Sequence, residues 1–197
     1  PTWGWVGVYN YDRMEWIKKF QILSSTRRSL SFMDMEISPD GKTLYFVAMP
    51  ANYPGGIFGA YDLNSDSLIV EFRINVHLSS LTVSTDGRNV YITDPGIYGI
   101  PEHPPTGKIN VFDSWNNTLL SPISTDTIDP GELNSYCESP PHHTDGIVIT
   151  PDGNKAYVAD GGSVIFVIDC RTHNIIDTIM TECKNHRIHQ LAIQSNP

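Results

Sequence analysis

At 197 residues, with 40% hydrophobic and 10% aromatic content, the chain can bury a substantial core, which excludes a disordered segment. Lys and Arg total 13 against 22 Asp and Glu, so the net charge is -9 and no basic face exists to neutralise a run of phosphates; nucleic acid is excluded as a partner. No stretch approaches the roughly 18 consecutive apolar residues of a membrane helix, and no membrane span is predicted.

In chain order, Val8-Tyr-Asn10 is followed across a polar turn by Trp16, Phe20 and Ile22, a pattern that predicts two strands joined tightly. Met35 to Ala48 carries an alternating apolar strand, a Ser-Pro-Asp-Gly turn at 38–41 and a β-rich second strand, which predicts a hairpin. Ala60-Tyr-Asp62 leads to Leu68, Phe72 and Ile74 at the distances seen after Val8. The Asp-Gly hairpin recurs over Leu81 to Asp94 and Ile147 to Asp160, and its first strand starts again at Leu191. Val111-Phe-Asp113 and Val167-Ile-Asp169 repeat the third-strand signature.

The turn residues Asp40, Asp86, Asp152 and Asn196 lie 46, 66 and 44 residues apart. A period near 45 with four strands per unit predicts an all-β fold, a β-propeller of four-stranded antiparallel blades, and the longer spacing leaves about twenty inserted residues. The units fall at 1–30 (half a blade), 31–76, 77–142 with long insertions, 143–185, and 186–197 (the start of another). The chain opens on Pro1, midway through a unit, so the expectation is a fragment forming a partial ring of a six- to eight-bladed propeller. Missing blades or a partner chain would close it, because an open ring leaves unpaired edges.

The run from Ala156 to Ile179, Tyr-Val-Ala-Asp then Val-Ile-Asp, Thr-His-Asn and a final Asp-Thr-Ile strand, resembles the YVTN-type propeller repeat. Asp94 and Asp160 stand where that family has Asn. The resemblance implies a scaffold found in surface-layer proteins, lactonase-like enzymes and dehydrogenase subunits. Thr144 to Asp160 is also similar to the Asp-Gly segment of the gluconolactonase and senescence-marker family, which implies a divalent-metal ligand at Asp145. That family's Asn falls on Ser79 here, and its metal-binding Glu has no match.

Strand parity places the turns after first and third strands at one end of the blades. The segments leading into first strands, and those joining second to third strands, gather at the other end around the mouth of the central channel. Alignment on the first strand puts His77, His143 and Arg187 at one equivalent position and Ser79, Asp145 and His189 at another, while Asp94 and Asp160 end second strands. The candidate ligand-binding set is therefore His77, Asp94, His143, Asp145, Asp160, Arg187 and His189, with His143, Asp145 and His189 as the candidate set for a divalent metal. The alternative role for such loop residues is to end strands and bond backbone.

Insertions at 95–107 and 125–144 belong to the same end and could cover the mouth. A Cys137 to Cys183 disulfide would tie this cover to the next blade; three free thiols are the alternative. Asn116-Asn117-Thr118 is a glycosylation sequon. No Gly-x-Ser-x-Gly and no phosphate loop occurs. The functional expectation is a non-enzymatic scaffold, extracellular, on the cell surface or periplasmic, that binds a protein or glycan. The rivals are a lactonase-like or metal-dependent enzyme with its site at the channel mouth, and a propeller subunit of a redox complex.

Overall fold

The computed structural model describes residues 4–25, 29–51, 55–74, 78–95, 107–125, 144–160, 164–181, 188 and 191–193. Among these, the regular elements are all strands. β1 (Trp5–Asn10) and β2 (Glu15–Gln21) form a hairpin. β3 (Leu30–Ile37), β4 (Thr43–Pro50), β5 (Gly56–Asp62) and β6 (Ser67–Ile74) make one antiparallel sheet in chain order. The second sheet runs β7 (Leu81–Val83), β8 (Asn89–Asp94), β9 (Lys108–Asp113) and β10 (Thr118–Leu119), and β11 (Ile123–Ser124) continues the pairing along β9. β12 (Ile147–Ile149), β13 (Lys155–Ala159), β14 (Val164–Asp169) and β15 (Asn174–Met180) make the third. This is a β-propeller arc of four-stranded blades, preceded by a hairpin that corresponds to a blade's outer two strands.

The middle strands read as near-continuous apolar runs because they are covered on both faces. Phe46 and Ala48 of β4 turn toward the β1–β2 hairpin, where they meet Val6, Phe20 and Ile22. Tyr45 and Val47 of the same strand turn the other way, into a cluster with Val90, Ile92 and Phe112 of the second sheet. Tyr91 and Val111 of that sheet then pack on Val158 and Phe166 of the third. The core thus lies between blades, and each strand's alternation assigns its side chains to two successive interfaces.

The Asp-Gly turns are three copies of one hydrogen-bonded unit. In the first, the Ser38 hydroxyl donates to Asp40 at 2.7 Å and accepts the Thr43 N–H at 2.9 Å, while Asp40 also accepts the Lys42 N–H. Ser84 with Asp86 and Thr150 with Asp152 repeat it. Gly41, Gly87 and Gly153 take φ of 74°, 74° and 73°, a left-handed backbone that selects glycine. A second set of turns joins third to fourth strands at the same end. Asn10, Asp62, Asp113 and Asp169 each accept backbone N–H groups from the turn they open. Four residues beyond each, Met14, Asp66, Asn117 and His173 take positive φ of 51° to 56°.

Candidate functional site at the channel mouth

The opposite end of the blades is held together by hydroxyls. Thr144, fully buried, accepts the Asp94 N–H at 3.0 Å and donates to the Lys108 carbonyl at 3.1 Å. Thr93 donates to the Asp145 carbonyl at 2.7 Å and accepts the Ser80 N–H at 3.0 Å. Ser79 lies 2.9 Å from the Thr93 hydroxyl and 3.2 Å from the Thr144 and Asp145 carbonyls. Second-sheet and third-sheet backbones are therefore joined by side chains whose partners lie 36 to 66 residues apart in sequence.

Ser79, Asp94 and Asp145 thus come together at one end. Asp94 closes β8 and is buried. Asp160 follows β13, is buried, and accepts the Val164 N–H at 3.1 Å, so its carboxylate closes the connection from second to third strand. His77, His143, Arg187 and His189, and with them most of the candidate metal set, lie outside the described residues. So do Cys137 and Cys183. Cys170 is a buried free thiol at the other end, where the Tyr91 hydroxyl donates to its carbonyl at 3.1 Å. Burial, joined by Cys170, pushes the Tyr91 hydroxyl far above the usual tyrosine range. Asn116 is exposed in the turn after β9, with its side-chain amide donating to Asp113 at 2.9 Å.

Two acidic residues outside the candidate set join the inner strands of the first and second sheets, Asp34 at the mouth and Glu36 nearer the turn end. Asp34, on innermost strand β3, accepts the Ser80 hydroxyl at 2.7 Å and the Leu81 N–H at 3.0 Å. Glu36, two residues on, accepts the Val83 N–H at 3.1 Å. Burial pushes the Glu36 carboxyl above its ordinary value, against the opposing pull of that bond. The signal for both was their alternation with Met33, Met35 and Ile37, which puts acids on one face of a strand that pairs only on its outer edge.

A trough of about 1010 Å³ opens here, lined by Asp34, Ser79, Ser80 and Asp145 with Met33 and Ile147. Ile188 and Leu191 form another part of its wall. Among the described residues no group of three His, Cys, Asp or Glu side chains is arranged to hold a metal ion. A second cleft, of about 510 Å³, lies at the turn end between the second and third sheets. Its carboxylates, Asp86, Asp113 and Asp152, are all engaged in their own turns.

No protein-family model matches the chain, and no curated protein matches it. Solved structures do. The β-propeller domain of Cps50 (Swd1) from Myceliophteria thermophila superposes on 98% of the chain with a TM-score of 0.68 at 14% identity. Hydrazine synthase from Kuenenia stuttgartiensis covers 82% of it at TM-score 0.56 and 21% identity. A functionally unknown protein from Desulfotomaculum acetoxidans covers 85% at TM-score 0.59 and 16% identity. At these identities the likeness is one of fold. The chain spans 53%, 38% and 46% of those three chains.

Proposed function

We propose that this propeller arc is a binding scaffold whose channel-mouth trough seats a protein segment carrying a basic side chain. The supporting observation is the trough itself: Asp34 and Asp145 share its lining with the hydroxyls of Ser79 and Ser80 and an apolar wall of Met33 and Ile147. Concave, part-apolar surfaces with a few convergent polar groups are the usual ligand seats of rigid scaffolds. Binding residues are disproportionately carried on loops that a rigid scaffold positions. A net charge of -9 favours a cationic partner through long-range attraction. The repeat from Ala156 to Ile179 supports assignment to the YVTN type, and the exposed sequon at Asn116 supports an extracellular or cell-surface setting.

The test is binding of a library of basic, neutral and acidic peptides beside a glycan array. The expected result is selective capture of basic peptides, weakened about tenfold in Asp145→Asn and weakened further by raising salt from about 0.05 to 0.5 M. Capture on the glycan array alone moves the reading to a glycan ligand, and silence in both sinks it. The metal-dependent enzyme reading separates on metal analysis. A scaffold carries no stoichiometric divalent metal and melts at the same temperature with or without chelator.

A further inference from the structure

Among the described residues, the polar side chains lining the trough at the channel mouth are Asp34, Ser79, Ser80 and Asp145, each partly exposed. A hydroxyl has one proton to donate and two lone pairs to accept with, whereas a carboxylate has lone pairs alone. What this lining offers a ligand therefore depends on where the two serine protons go. Ser80 donates its proton to Asp34 at 2.7 Å. Asp34 is itself held by backbone, one oxygen accepting the Met35 N–H at 2.8 Å and the other the Leu81 N–H at 3.0 Å. A carboxylate is the strongest acceptor within reach of Ser80, so its hydroxyl is fixed with the lone pairs turned away from Asp34.

Ser79 reaches three acceptors of the protein: the Thr93 hydroxyl at 2.9 Å, and the Thr144 and Asp145 carbonyls at 3.2 Å each. Thr93 has an acceptor of its own in the Asp145 carbonyl at 2.7 Å, and its oxygen receives the Ser80 N–H at 3.0 Å. Whichever way the Ser79–Thr93 pair is oriented, the Ser79 proton stays inside this network, on Thr93 or on a carbonyl. Both serine protons are thus spent on the protein, and all four polar side chains meet the open trough as acceptors.

On the footing that this trough seats a basic side chain, we infer that it selects that side chain by its N–H donors and not by positive charge alone, taking a primary ammonium or a guanidinium and rejecting a cation that has no N–H. Against a quaternary ammonium the acceptors lose water and gain no partner, and a polar group left unpaired in this way is what lets a site reject an analogue lacking the donor. Long-range attraction makes no such distinction, because a net charge of -9 draws equal charges equally. Trimethylation of a lysine separates the two effects, since it keeps the charge and removes every N–H of the ammonium.

The test titrates the chain with a Gly-Ser peptide carrying one central lysine, in unmodified, trimethylated and acetylated forms. The unmodified form is expected to bind at least about tenfold more tightly than the trimethylated one, with the difference in the dissociation rate because both carry the same charge. The acetylated form, which has lost the charge, should not bind. Asp145→Asn replaces an acceptor oxygen by an N–H donor and should lower the ratio of the two charged forms at least about threefold. A loss of charge or of local structure would instead weaken both forms alike, and that result counts against the inference. Equal or tighter binding of the trimethylated peptide overturns the inference and leaves the basic-side-chain reading standing. Silence of both charged forms overturns that reading and the inference with it.

Discussion

Thr144 shows how much one side chain contributes at the mouth. Its hydroxyl is both acceptor for the Asp94 N–H and donor to the Lys108 carbonyl, in a site with no solvent access. Thr144→Val keeps the shape and leaves both backbone groups unpaired, at about 1–3 kcal/mol for each buried group left unsatisfied. Urea denaturation should show a loss of about 2–4 kcal/mol, and Thr144→Ser should retain most of the wild-type stability. The role of Thr144 was not legible in the sequence, because a lone Thr before an Asp-Gly pair looks like an ordinary turn residue. Its partners lie 36 and 50 residues earlier, and nothing local points to them. Asp145 was legible as a mouth residue through parity alone, whereas Asp160 turned out to close its own connection through the Val164 N–H.

At the scale of the element, the Asp-Gly hairpins were readable because their chemistry is local. A hydroxyl two residues before the aspartate and a glycine just after it satisfy one another within a single turn. The third-to-fourth turns were less legible. Their aspartates mark strand ends, but the left-handed position is taken by Met14, Asp66, Asn117 and His173, four residue types that share no preference. Both turn sets hold carboxylates below their ordinary range. For Asp152 the Thr150 hydroxyl comes first, followed by the Asn154 N–H and side chain, and together they bring it down to about 2. For Asp169 the Thr172 N–H leads. A carboxylate lowered in the folded state stabilises it at pH above the unfolded value, near 3.8, and that contribution fades as pH falls through the folded value. Melting temperature should therefore hold from about pH 7 to 5 and drop steeply between about pH 4 and 2. Asp152→Asn, which keeps an acceptor and removes the charge, should flatten that drop.

Across the whole molecule, stability is a chain of interfaces between neighbours, with no single centre. Phe112 occupies the middle of the interface between first and second sheets, with ring centroids 4.8 Å from Phe58, 5.9 Å from Phe72 and 6.2 Å from Tyr45. Phe112→Ala should cost about 3–5 kcal/mol, in the range for a buried aromatic truncated to Ala. It should also split one calorimetric transition into two, as the sheets on either side lose their coupling. The blade repeat was visible in the sequence because every unit repeats the same pattern of apolar alternation. Which blade faces which was not, since each strand serves two interfaces at once and the pattern does not say which face meets which neighbour.

The hydroxyl network at the mouth also fixes where the two long insertions leave the blades. Asp94 and Lys108 are drawn to Thr144, and Gly107 accepts from both the backbone and the hydroxyl of Thr125. The four stubs from which both long insertions depart are stapled to one another, whatever the insertions contain. The positions at which the chain leaves and re-enters the blades here are thus set by the blades' own hydrogen bonds.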